Sequence, residues 1–334
     1  MRNNLLYEWI SCVSVADSEL ENCLVLVDPV CLLLKFDTFL SLLGSVYLGK
    51  DIMTGGDVAL KIGDADNSQS RIDHEYRVYK TIAGSTGISP VCWYGKESAC
   101  DVIVLEHLGT SLGDLIDTQQ FDHSKPFLFA SQMVCTSYMY RDFTNFFPQL
   151  SAVESLHTRH YIQRDIKPGN VMIRADSTAF LIDFGLAKLF RDPATHLHRP
   201  YSTSCAIVGT LPFTSINGQQ GHAQSRCDDL ESLAYTIIFS ARGDLPWSSL
   251  SNWEAVLQKK YFITEEELCM GLPTPFQKFI SHVRALGFGQ KPDYKYLHSI
   301  LLQCSQSERE TDVPDKALAL SESCACPTVI GDQM

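Results

Sequence analysis

The chain has 334 residues, 45% of them hydrophobic and 20% charged, with a net charge of −12. This is a globular composition, long enough for two lobes or two small domains, and its negative balance excludes nucleic-acid binding through a global positive field. The 12 cysteines are scattered. Only Cys324 and Cys326 lie close together, at a gap unlike zinc-ligand spacing, so incidental thiols in a reducing compartment are expected.

Residues 1–38 show no clear period and are left as an unassigned segment. The apolar stretch Leu24–Phe36 is interrupted by Asp28 and Pro29 and falls short of the about 20 apolar residues that a membrane helix needs. With no export signal evident, the chain is expected to be soluble and intracellular, in cytoplasm or nucleus, acting as a monomer without membrane contact. Two β-rich runs, Ser45–Gly49 and Asp57–Ile62, flank Thr54-Gly55-Gly56 and predict a hairpin. Residues 70–83 have helical spacing through Ile72, Tyr76 and Tyr79. Val91–Gly95 and Val102–Glu106 predict two more strands. After Gly109 the pattern turns helical, from a capped start at Ser111–Ile116 to later helices at Asp229–Ser240, Trp253–Lys259, Pro275–Leu286 and Tyr294–Ser305. A sheet-rich lobe at 39–108 followed by a helical lobe at 109–305 is α+β with segregated lobes. Residues 306–334 are polar or small and predict a disordered tail.

The chemistry concentrates in Gln163-Arg164-Asp165-Ile166-Lys167-Pro168-Gly169-Asn170, followed after 13 residues by Asp183-Phe184-Gly185. Between them, Val171–Ile173 and Ala179–Ile182 predict a hairpin that brings Asn170 and Asp183 to one end. Asn170 offers a neutral oxygen and Asp183 a charged one, a pair suited to Mg²⁺. Asp165 can accept a hydroxyl proton, and Lys167 can neutralise a moving phosphoryl group. Any one of these acids alone would be read as a turn cap, but the joint pattern is specific. Upstream, Val58-Ala59-Leu60-Lys61 supplies a strand lysine for phosphate oxygens, and Glu75 on the next helix is its expected ion-pair partner.

Narrower signals follow. They are Leu108-Gly109-Thr110-Ser111-Leu112, Arg191-Asp192-Pro193, Gly209-Thr210 before Ser215-Ile216-Asn217, the block Gln224–Leu233, and Leu245-Pro246-Trp247. Together these resemble the casein kinase I family of serine/threonine protein kinases, over residues 44–134 and 151–303. The resemblance implies a bilobal protein kinase fold, Mg-ATP as phosphate donor, and protein acceptors whose serine or threonine lies near acidic or phosphorylated residues. It implies that Leu105 is the gatekeeper, that Glu106–Leu108 form the hinge, and that Leu108 backbone groups meet adenine. Val46, Ala59 and Met172 would sandwich the base, and Asp229 would hold the catalytic loop from the core.

Three departures stand against this pattern. Read backward from Val46, the glycine loop keeps Gly44 but has Ser41 and Phe39 where glycines would let backbone N–H groups approach phosphate. Residues 135–150 read as an insertion ending in Pro148, which should break a helix; like 1–38, they have the look of translated non-coding sequence. Gln163 replaces the usual His or Tyr, and Pro212 stands where the family has a phosphate-binding arginine, with Arg226 or His222 as its possible substitutes. An active protein kinase is therefore weighed against a pseudokinase or binding scaffold with an impaired nucleotide loop, and against a small-molecule kinase.

Overall fold

In the computed structural model, residues 23–27, 30–41, 44–51, 54–64, 71–97, 100–120, 146–176 and 178–311 are described. The first strands are β1 (Cys23–Val27), β2 (Val30–Ser41), β3 (Gly44–Asp51) and β4 (Asp57–Asp64). The predicted hairpin forms between β3 and β4, with Ser45 opposite Ile62 and Lys50 opposite Asp57. Its turn needs glycine, because Gly55 sits at φ 73, a region that costs other residues energy. Helix α1 (Arg71–Ile82) follows, then β5 (Val91–Glu97) and β6 (Cys100–Glu106). Among the described residues the six strands form one antiparallel sheet in the order β1-β2-β3-β4-β6-β5. Helix α1 turns Ile72, Glu75, Val78, Tyr79 and Ile82 inward.

The helical lobe begins with the short strand β7 (Thr110–Ser111) and α2 (Leu112–Gln120). Ser111 caps that helix: its hydroxyl accepts from the Asp114 amide at 3.0 Å, satisfying one of the amides a helix start leaves open. Next come α3 (Phe146–Thr158), β8 (Tyr161–Ile162), a 3₁₀ turn at Pro168–Asn170, β9 (Val171–Ile173), β10 (Ala179–Leu181) and β11 (Lys188–Leu189). The remaining helices are α4 (Ile216–Gln219), α5 (Arg226–Arg242), α6 (Trp253–Phe262), α7 (Glu265–Leu268), α8 (Thr274–Arg284) and α9 (Tyr294–Thr311). Helix α5 is the centre of this lobe. Leu230, Leu233, Ala234, Tyr235, Ile237 and Ile238 are all buried, as expected of a helix covered on every side. It starts in a capping box between Ser225 and Asp228 and ends at Gly243, φ 72.

The α+β architecture matches expectation, and three boundaries move. The sheet reaches back to Cys23, so residues 23–27 and 30–41 of the unassigned segment have a structural place. Helix α3 starts at Phe146 and not at Ser151, with Leu150 fully buried. Pro148 falls in the first turn, where its missing N–H has no partner to lose, so it does not break the helix. The rest of the expected insertion lies outside the described residues. The last helix continues to Thr311, past the expected end at Ser305, and the remainder of the tail lies outside the described residues. No described helix is long and apolar enough to cross a membrane.

Candidate active site

The loop after α3 carries the site, and Asp229 of α5 holds it. The buried Asp229 carboxylate accepts from the Gln163 amide at 2.8 Å, the Arg164 amide at 2.9 Å and His157 Nε2 at 2.8 Å. His157 then accepts at Nδ1 from the Tyr294 hydroxyl at 2.6 Å. This fixes a backbone turn that Arg164 makes at φ 71, a conformation that a non-glycine residue keeps only when its surroundings impose it. The Gln163 side chain reaches the next segment, donating to the carbonyls of Ile182 at 2.8 Å and Asp183 at 3.3 Å.

Four polar side chains meet beyond that turn. Asp165 Oδ1 accepts from the Thr210 hydroxyl at 2.7 Å. Asp165 Oδ2 lies 3.0 Å from Lys167 Nζ and accepts from Asn170 Nδ2 at 3.2 Å. Lys167 also donates to Thr210 Oγ1 at 2.8 Å, and Asn170 Nδ2 to the Asp165 carbonyl at 2.9 Å. The loop of Thr210 passes close to the catalytic loop at Gly209, φ 101, where a Cβ would stand 2.6 Å from the Arg164 carbonyl oxygen. Only glycine allows that approach.

A second cluster hangs from the sheet. Lys61 Nζ lies 2.7 Å from Glu75 Oε2 and 2.9 Å from Asp183 Oδ1. Glu75 Oε1 accepts from the Phe184 amide at 3.2 Å, and Asp183 Oδ1 from the Gly185 amide at 3.3 Å. Burial pushes the Glu75 carboxyl up to about 7, outweighing the nearby Lys61 charge. Burial works against the Lys61 ammonium too, but Glu75 and Asp183 outweigh it and raise its pKa. Phe184 is buried edge-on against Tyr79, ring centroids 4.8 Å apart. The two clusters are joined where the Ile182 amide donates to the Asn170 carbonyl at 3.0 Å. This is the expected outcome of the β9–β10 hairpin, in which Leu181 pairs with Val171.

The remaining candidates lie on β3, β4 and β9 and at or just after the end of β6. Val46 lies opposite Lys61, and Ala59 opposite Leu48 on one side and Leu105 on the other. Paired residues share a face of the sheet, so Val46, Ala59 and Lys61 face the same way. Glu106 ends β6 and lies 3.7 Å from Arg174, Leu108 is buried just after it, and Met172 pairs with Ser111 and Phe180. Gly44 opens β3 opposite Ser41, and Phe39 lies opposite Val46, so the glycine-poor segment continues as strand β2 up to the turn.

A protein kinase domain matches residues 42–319. The chain belongs to the protein kinase family. It is also similar to "Casein kinase I homolog 3" of Schizosaccharomyces pombe, 34% identical over 282 residues. That match covers 80% of this chain and 61% of the relative's length.

Two residues of this kinase acquire a place that their sequence did not announce. Thr210 stands in the sequence only as part of a family motif, although it bonds both Asp165 and Lys167. Its 45-residue separation from Asp165 hides the contact from any local pattern. Gln163, which stands in place of the usual His or Tyr, ties the catalytic loop to the Asp183 segment. Of the two suggested substitutes for the missing arginine at Pro212, Arg226 is committed elsewhere. Arg226 is buried, its Nη2 donating to the Gly289 carbonyl at 2.9 Å and its guanidinium 4.5 Å over the Phe190 ring. His222 Nδ1 pairs with the Tyr201 hydroxyl at 3.0 Å.

Proposed function

We propose that this kinase transfers the γ-phosphoryl group of Mg-ATP to serine or threonine hydroxyls of proteins. The cluster of Asp165, Lys167, Asn170 and Thr210, one backbone hydrogen bond from the Lys61–Glu75–Asp183 cluster, is the observation that supports this best. Asp165 takes the proton of the acceptor hydroxyl, with its carboxylate oriented by Thr210 and Asn170. Lys167, on the other oxygen of Asp165, neutralises charge as the phosphoryl group moves. Lys61, held by Glu75, serves the α- and β-phosphates, and Val46, Ala59, Leu108 and Met172 with Glu106 and Gly44 line the nucleotide side.

The donor set fits Mg²⁺. Asn170 spends its amide nitrogen on Asp165, which leaves the amide oxygen as its ligand atom, and Asp183 adds a carboxylate; both are hard oxygen donors. When bound, Mg-ATP supplies the transferable phosphoryl group and the charge that shields it. The acceptors need no priming phosphate, because Pro212 carries no charge and Arg226 is engaged elsewhere. Their recognition rests on protein side chains near the hydroxyl, acidic ones among them.

Phosphate transfer from Mg-ATP to casein tests the proposal. Lys61→Met, Asp165→Asn and Asp183→Ala are each expected to lower turnover by about 10²-fold or more, with cooperative melting retained. Equal counts from wild type and Asp183→Ala, with no effect of Mg-ATP on melting, would end it. That outcome would select the scaffold alternative with its impaired nucleotide loop, which the absence of glycine at 39 and 41 favours.

A further inference from the structure

The loop that carries Thr210 is tied to the helical lobe through its carbonyl groups. Lys260 of α6 donates from Nζ to the Leu211 carbonyl at 2.8 Å and the Thr214 carbonyl at 2.7 Å. Its third contact is Gln219 Oε1 at 3.1 Å. Between the two carbonyls that Lys260 holds, the Trp247 indole donates to the Pro212 carbonyl at 2.9 Å. The inner turn is closed locally, with the amides of Phe213 and Thr214 donating to the Thr210 carbonyl at 2.9 and 3.0 Å.

Lys260 is fully buried. A buried ammonium is costly unless every donor is used and the charge is compensated. Here three N–H groups meet three oxygens, and the rings of Tyr235 and Trp247 lie 5.3 Å from Nζ. Burial pushes the Lys260 pKa down to about 7, while Glu231 draws it back up. The three oxygen acceptors favour the charged form, which alone has three donors. An ammonium so saturated has no N–H left for an acceptor's phosphate.

We infer that Lys260 is a positioning residue for phosphoryl transfer, holding the 210–214 loop so that the Thr210 hydroxyl stays on Asp165 and Lys167. The inference rests on the kinase reading of the site and adds a residue that touches no reacting atom. Removing the ammonium leaves three oxygens without their donor, those of Thr214 and Gln219 buried, and the loop must move to find water.

Lys260→Met is expected to lower kcat/KM for casein by about tenfold, with KM for ATP changed less than roughly twofold. In a Thr210→Ala background the same substitution should cost little more, since it acts through that hydroxyl. Amide hydrogen exchange at Phe213 and Thr214 should quicken by roughly tenfold in Lys260→Met, a readout that needs no turnover. Should that variant fail to fold, Trp247→Phe removes the neighbouring tie and should quicken the same two amides. Unchanged exchange, or full additivity with Thr210→Ala, overturns the inference. Faster exchange in Lys260→Met, together with a wild type that does not phosphorylate casein, counts against the kinase reading alone.

Discussion

Glu75 stands at the point where burial and charge pull in opposite directions. It is fully buried beside Lys61, and burial wins, raising its pKa from 4.5 to about 7. The folded state therefore holds a proton that the unfolded chain releases near 4.5. Between those values the folded state binds more protons, so this contribution to stability is complete below about pH 4.5 and is lost as pH rises to about 7. Wild type should lose stability relative to Glu75→Gln across that window, by up to about 3 kcal/mol. Denaturant melts of both proteins at pH 5 and pH 7 measure it, and parallel changes would place the titration elsewhere. The Lys61–Glu75 pair itself was legible, because a strand lysine and a following helix glutamate are local signals. The pairing of Thr210 with Asp165 was not, because no nearby pattern distinguishes one loop threonine from another.

At the scale of elements, α5 carries the catalytic loop through one carboxylate. Asp229→Ala leaves the Gln163 and Arg164 amides and His157 without their acceptor. Each orphaned buried donor costs about 1–3 kcal/mol, so a loss of about 3 kcal/mol or more is expected. It should lower the denaturant midpoint with the slope unchanged, and turnover should fall with it because Arg164 no longer holds its left-handed turn. The strands and helices were mostly legible from their periods: β3–β4, α1, β9–β10 and α5 lie where alternation or helical spacing placed them. Pro148 was misread because proline breaks helix interiors yet is tolerated in first turns, and the start of α3 is marked by burial of Leu150 rather than by a cap signal. Residues 23–27 and 30–41 lacked a visible period, and their place comes from the ladders of β1 on β2 and of β2 on β3.

For the molecule as a whole, the proposed function has the two clusters act on one nucleotide bound between the lobes. Mg-ATP at about 100 times its dissociation constant should stabilise the chain by about 2.7 kcal/mol, raising the melting temperature by several degrees. The shift should shrink in Asp183→Ala and in Lys61→Met. No shift in wild type would show that β2, with Phe39 and Ser41 in place of glycines, closes the nucleotide side.

The sequence by itself determined the family and the lobe order. Asp165, Lys167, Asn170 and Asp183 occur at spacings whose joint pattern is specific, and alternation separates sheet from helix. Tertiary structure alone decided how those groups are held. Gln163, Thr210, Asp229 and Lys260 act across separations of 19 to 66 residues. Their hydrogen bonds exist only because burial removes water as the competing partner.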